Sequence, residues 1–212
     1  MNEGWLERWE VGRIGWHEPA GNQNLKAHWS GSNKRVLVPL CGKTPDLLWL
    51  EAEGNEVVGV EVSPLAARDF FHDNGLDYVV EPGALPRYVA RERRVTIACG
   101  DFFEFREQGF DACYDRGALV AIDPERHADY VAHIRSLLTP EAYFLLIAVE
   151  YDQSVAPGPP FCLDADAVRG LLPGLECRAR VDDLANCPPK FHEAGLAAFH
   201  EAVWSGVLSA PR

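Results

Sequence analysis

The residues best suited to chemistry stand where apolar runs end and turn-forming or charged residues begin. Pro39-Leu40-Cys41-Gly42-Lys43-Thr44 follows the apolar run that starts at Val36. A glycine in such a loop lets backbone approach a ligand closely. Gly42-Lys43-Thr44 resembles the end of a phosphate-binding loop, but the position for that motif's first glycine holds Leu37. The G-x-G-x-x-G spacing of dinucleotide binders is also missing. Glu61 lies 19 residues beyond Gly42, directly after Val57-Val58-Gly59-Val60. A carboxylate at that spacing can accept hydrogen bonds from ribose hydroxyls. The pattern points to a nucleoside ligand without a phosphate to cradle.

Further candidates follow the same rule. Asp101, in Cys99-Gly100-Asp101-Phe102-Phe103, can accept from an adenine amino group or cap the segment after it, and Phe102 can pack on a base. Asp115-Arg116 ends another apolar run, as a pair facing ligands or as a structural ion pair. Gly158-Pro159-Pro160-Phe161 reads as a rigid loop able to form one wall of a pocket. Trp5 and Trp9 are four apart and share one face of a helix, a stripe that serves core packing more often than a lid. His17 and His28 could serve as bases, although a single histidine outside a motif is more often structural.

The elements that must position these residues alternate. Strand-like runs cover Val36–Leu40, Val57–Val62, Val95–Cys99, Phe110–Asp115 and Tyr143–Val149, with two more near 176–182 and 198–208. Thr44-Pro45, Ser63-Pro64 and Asp123-Pro124 each place a capping residue before a proline, the signature of a helix start. The helix after Pro124 is expected to stop at Thr139-Pro140, and a weaker one covers 165–172. Residues 76–94, punctuated by Pro82, Gly83 and Pro86, read as a loop, and no clear helix separates the last two strands. These features predict an α/β fold: a seven-stranded, mostly parallel sheet with helices on both faces and an antiparallel strand pair at the C-terminal end. In such sheets ligands bind beyond the carboxyl ends of the strands. S-adenosyl-L-methionine has no phosphate, so one glycine suffices, and it is the cofactor expected at 36–43.

Composition narrows the class. The formal charge of −12 argues against a nucleic-acid partner, whose phosphates require a Lys/Arg surplus. No apolar run is long enough for a membrane span, and residues 1–30 lack the apolar core of a signal peptide. A cytoplasmic, soluble enzyme is expected. The six cysteines show no C-x-x-C pair and no accompanying histidine cluster, so no metal site is expected and most should be buried thiols. The length suits a single domain over 1–212, with 1–30 as an aromatic front segment carrying Trp5, Trp9, Trp16 and Trp29. The signals are internal to one domain and compatible with a monomer.

Taken in order, these stretches resemble the thiopurine S-methyltransferase family over nearly the whole chain. The resemblance is carried by Trp5-Leu6-Glu7-Arg8-Trp9 with Ile14-Gly15-Trp16-His17, and by Val38 to Lys43. It continues through Val58 to Ser63, Cys99 to Phe103, Tyr114 to Ala121 and Gly158 to Phe161. It implies a Rossmann-like methyltransferase fold and methyl transfer from S-adenosyl-L-methionine to the sulfur of an aromatic or heterocyclic thiol. It also implies cofactor binding by Trp9, Leu40, Glu61 and Arg116, joining Gly42, Asp101 and Phe102, with residues 1–30 capping the site. Trp16, Arg116, Pro160, Phe161 and Lys190 are then expected toward the acceptor, with Asp115 and Arg116 as the catalytic pair. Related chemistry on halide, selenium or tellurium acceptors, or a cofactor-binding module without turnover, are the alternatives.

Overall fold

The computed structural model describes residues 2–208. The chain forms two compact units, Met1–Asp111 and Ala112–Arg212.

In the first unit, β1 (Arg35–Pro39) pairs in parallel with β2 (Glu56–Glu61), and β2 with β5 (Val95–Cys99). The registers Pro39↔Val60 and Glu61↔Cys99 bring the carboxyl ends of all three strands into line. Their residues are buried almost without interruption, which explains the unbroken Val/Leu/Ile runs in place of an alternating pattern. Helices α1 (Asn2–Glu10), α2 (Gln23–His28), α3 (Asp46–Ala52) and α4 (Pro64–Asp73) accompany these strands. The Ser63 side chain accepts the Ala66 N–H at 3.2 Å, with Pro64 in the first turn, as the capping pattern predicts. At Thr44-Pro45 the helix begins one residue later than expected: Thr44 Oγ1 accepts the Asp46 N–H at 3.3 Å, and Asp46 is the first helical residue.

The stretch read as a loop holds a hairpin, β3 (Tyr78–Glu81) and β4 (Arg87–Ala90), antiparallel to each other. β4 in turn runs antiparallel to β5, giving the order β3-β4-β5-β2-β1. Phe71, Tyr78 and Tyr88 pack together, with ring centroids 4.7–6.4 Å apart, and stabilise strands too short to announce themselves. With this hairpin the strands number nine among the described residues, where seven were expected.

The second unit follows the order β6-β7-β9-β8, comprising β6 (Phe110–Arg116), β7 (Leu138–Tyr151), β8 (Leu175–Asp182) and β9 (Phe199–Val207). β9 is antiparallel to both β7 and β8, so the expected C-terminal antiparallel pair is present. Helix α5 (His127–Leu137) buries Tyr130, Val131, Ile134 and Leu137, the helical spacing legible in the sequence. The helix ends at Leu137, just before Thr139-Pro140 as expected, and the chain passes directly into β7, which contains that pair. Among the described residues the β9 partners of β7 begin at Tyr143, and Pro140, which has no N–H, lies ahead of that stretch. α6 (Ala165–Leu171) lies where expected, whereas the short α7 (Pro189–Glu193), between β8 and β9, has no sequence signal. Among the described residues, no helix is long and apolar enough to cross a membrane.

Candidate active site

The loop after β1 is held by Glu61. Its Oε2 accepts the Gly42 N–H at 2.8 Å, and its Oε1 accepts the Ser63 N–H at 2.7 Å. The carboxylate therefore ties the end of β1 to the end of β2. It is 5% exposed, and burial pushes its pKa up to about 7, partly offset by hydrogen bonds from the Ser63, Gly42 and Val62 amides. Each carboxylate oxygen can accept more than one hydrogen bond, so these amides do not exhaust it. Leu40 has φ 47°, a left-handed conformation that costs a non-glycine residue roughly 1–2 kcal/mol. Lys43 pairs with Asp73 at 2.8 Å and Asp69 at 3.7 Å on α4, which leaves the Gly-Lys-Thr sequence without the lysine function of a phosphate loop.

The front segment reaches this loop through Trp9. Gly42 has φ +56°, and a Cβ there would stand 3.1 Å from Trp9 Cζ2, so glycine serves both the turn and the ring's approach. Trp16 packs edge-on against Trp5 at 5.2 Å and Trp9 at 5.9 Å. Farther along, the Asn22 N–H donates to buried Asp46 Oδ1 at 2.8 Å, fastening the start of α2 to α3. Gly42→Ala is expected to lower stability by about 1–2 kcal/mol through its positive φ, and to shift tryptophan emission as Trp9 is displaced. Urea unfolding and fluorescence check this; an unchanged spectrum contradicts the Trp9 contact. Asp101 Oδ1 accepts the Phe103 N–H at 2.8 Å, capping the turn Phe102–Glu104, and Phe102 is buried beside Phe103.

In the second unit, Asp115 is fully buried at the end of β6. Its Oδ1 accepts the Leu119 N–H at 3.0 Å and its Oδ2 accepts the Tyr130 hydroxyl at 2.8 Å. Burial raises its pKa to about 6 against the lowering effect of those bonds. Asp115 thus anchors the turn after Arg116 to α5. Arg116 Nη2 lies 4.0 Å from Glu201 Oε1 on β9, and the Glu201 side chain is 8% exposed. The Phe161 N–H donates to the Val120 carbonyl at 2.6 Å, and the Tyr151 hydroxyl donates to the Pro160 carbonyl at 2.6 Å. The Phe161 ring occupies the space a Gly158 side chain would take, with a Cβ 2.3 Å from Cδ1. Lys190 Nζ donates to the Pro157 and Pro159 carbonyls at 2.7 and 2.6 Å.

Sequence reasoning missed Glu201, Tyr130 and Tyr151. Glu201 had a signal, a carboxylate beside the apolar Ala202-Val203-Trp204 run of a strand. The two tyrosines pass for core aromatics until their hydroxyl partners are seen. All six cysteines are free, and four of them, Cys41, Cys99, Cys113 and Cys187, are buried, as expected of most. Among the described residues, no three His, Cys, Asp or Glu side chains are grouped to hold a metal.

Residues 1–207 match the family described as thiopurine S-methyltransferase. A protein of that name from Pseudomonas fluorescens strain Pf0-1 is 40% identical over 95% of this chain and 96% of its own length. Another from Nitrosospira multiformis is 35% identical over the same shares. Among solved structures, the Burkholderia thailandensis 1,6-didemethyltoxoflavin-N1-methyltransferase, with bound S-adenosylhomocysteine, aligns over 97% of this chain and 86% of its own, at TM-score 0.63 and 20% identity. A methyltransferase from Methanosarcina mazei aligns over 89% of this chain and 100% of its own, at TM-score 0.61 and 13% identity. The structural likenesses establish the fold, and the sequence match establishes the lineage: the chain belongs to the thiopurine S-methyltransferase family of S-adenosylmethionine-dependent methyltransferases.

Proposed function

We propose that this protein transfers the methyl group of S-adenosyl-L-methionine to the sulfur of an aromatic or heterocyclic thiol. The observation that carries the reading is the Glu61–Gly42 junction, a buried acceptor carboxylate beside a side-chain-free loop position. It suits a ribose diol and has no use for a phosphate. When bound, S-adenosyl-L-methionine would supply an electrophilic methyl group that a thiolate can attack in line, releasing S-adenosylhomocysteine as the leaving thioether without a protein nucleophile.

The chain's own residues bind, orient and exclude water. In the first unit, Glu61 accepts from the ribose hydroxyls, and the strained Leu40 presents its backbone to the cofactor. Asp101 and Phe102 attend the adenine, while Trp9 and Trp16 shield the loop from solvent, residues 1–30 acting as the cap. In the second unit, Arg116 stabilises the thiolate and helps to hold the cofactor, and Glu201 restrains its guanidinium. Asp115, whose two oxygens accept the Leu119 N–H and the Tyr130 hydroxyl, acts as the positioning member of the pair by holding the Arg116 turn. Pro160 and Phe161 form the wall toward the acceptor. Positioning of this kind can supply several of the roughly 7–11 kcal/mol available from alignment in favourable cases.

The state of Glu61 makes binding depend on pH. Ribose hydroxyls donate to the ionised carboxylate, so cofactor affinity is expected to rise with pH through about 7 and level off above it. Stability moves the other way. The folded pKa lies above the ordinary 4.5, so the folded state holds more protons and this group's contribution falls as pH rises from 4.5 to about 7. Calorimetric titration with S-adenosylhomocysteine at pH 6 and pH 8, beside Glu61→Gln, tests the dependence. A wild-type affinity that changes no more than the variant's contradicts it.

A further inference from the structure

The wall from Pro157 to Phe161 cannot fasten itself. Three of its five residues are proline, so between Pro157 and Pro160 only Gly158 has a backbone N–H. Such a segment has few donors of its own, and with the Phe161 N–H given to Val120 its carbonyls draw on donors brought from elsewhere. Lys190 brings two of them, since its Nζ reaches the Pro157 carbonyl at 2.7 Å and the Pro159 carbonyl at 2.6 Å. An ammonium suits this task because it is a compact charge with three donors and can serve converging carbonyls at once. The Tyr151 hydroxyl takes the Pro160 carbonyl, and the Phe161 N–H closes the far end on Val120.

The donors themselves are fixed. Next to Lys190 on α7, fully buried Phe191 packs on Tyr151 at 4.8 Å and on Phe199 at 5.2 Å. Lys190 Nζ also sits 4.6 Å from the Phe191 ring centroid. At the other end, Val120 lies in the turn Leu119–Ala121 that buried Asp115 holds through the Leu119 N–H. The wall is therefore strung between α7 and the turn that follows Arg116.

We propose that Lys190 is a specificity-determining positioning residue that bridges the Pro157 and Pro159 carbonyls and so sets the shape of the acceptor wall. It acts on the acceptor through that wall and does not present its charge to an anionic substrate. The inference rests on reading Gly158–Phe161 as acceptor-facing, and it offers a positioning role in place of the expected substrate contact.

The experiment compares wild type, Lys190→Arg and Lys190→Met by amide hydrogen exchange and by steady-state kinetics. The acceptors are aromatic thiols of equal ring size with and without a carboxylate. In Lys190→Met, loss of two charge-assisted hydrogen bonds should raise exchange at the Phe161 and Cys162 amides about tenfold. Acceptor KM should rise about tenfold for charged and neutral thiols alike, with S-adenosylhomocysteine affinity within about twofold of wild type. Lys190→Arg, which keeps donors and charge, should recover most of both. Unchanged exchange at Phe161, or a loss confined to carboxylate-bearing thiols, overturns the proposal. Exchange at Leu146, buried in β7 of the same unit, reports whether each variant is folded, and Lys190→Gln replaces Lys190→Met should the latter not fold. If wild type methylates no thiol, the proposed function fails, while the exchange arm still decides whether the bridge exists.

Discussion

Glu61→Ala is expected to weaken S-adenosylhomocysteine binding by at least about a hundredfold in a calorimetric titration. Two losses combine. Hydrogen bonds from ribose hydroxyls to a carboxylate are of the stronger, charge-assisted kind. The truncation also orphans the Gly42 and Ser63 amides, both of which donate to Glu61 in buried surroundings. An unsatisfied buried donor costs about 1–3 kcal/mol, so the loop after β1 should also lose its fixed conformation. Glu61→Gln separates the two losses. It keeps length and one acceptor oxygen but turns an NH2 group toward one of the two amides, so binding should fall less than in Glu61→Ala. Equal affinity of wild type and Glu61→Ala would remove Glu61 from the cofactor site.

Arg116→Ala is expected to lower kcat/KM for an aromatic thiol by about a hundredfold to a thousandfold, the loss typical when a preorganised charge-stabilising group is removed. The Arg116 side chain is only 23% exposed and has a carboxylate oxygen of Glu201 4.0 Å from its Nη2. That carboxylate favours one placement of the guanidinium before an acceptor arrives, which limits the reorganisation needed during the reaction. Lysine cannot reproduce a planar guanidinium, so Arg116→Lys should recover only a minor part of the rate. Glu201→Gln should give an intermediate loss, because it relaxes the restraint and leaves the charge in place. Transfer rates in Arg116→Ala equal to those of wild type would show that the residue ending β6 plays no part in the chemistry.

What could be read from the sequence was what local chemistry dictates. Ser63-Pro64 announced α4 because a cap and a proline act within one turn. Glu61 was legible because a parallel strand pair puts the second strand's end a fixed distance beyond the loop of the first, and Gly42 and Glu61 do meet. The hairpin at Tyr78–Ala90 was hidden because Pro82, Gly83 and Pro86 are loop signals. Its strands are held by pairing and by the Phe71, Tyr78 and Tyr88 rings, which lie apart in sequence. Asp115 could be seen to matter, but not that the Leu119 amide and Tyr130 hydroxyl engage its two oxygens. Lys190 was the hardest to read, since its partners are backbone carbonyls, and a carbonyl leaves no trace in residue identity. The family resemblance implied a cation facing the substrate, and the proposed bracing role comes from the two carbonyls its ammonium meets.

Methyl transfer to sulfur is the claim on which the other assignments depend, and product analysis tests it most directly. Wild-type protein would be incubated with methyl-labelled S-adenosyl-L-methionine and a panel of aromatic and heterocyclic thiols, with halide, selenite and tellurite as competing acceptors. Mass spectrometry would then locate the label. Label is expected on the sulfur of at least one aromatic or heterocyclic thiol, in preference to the inorganic acceptors. Tight cofactor binding with no S-methyl product, or label delivered only to the inorganic acceptors, would contradict it.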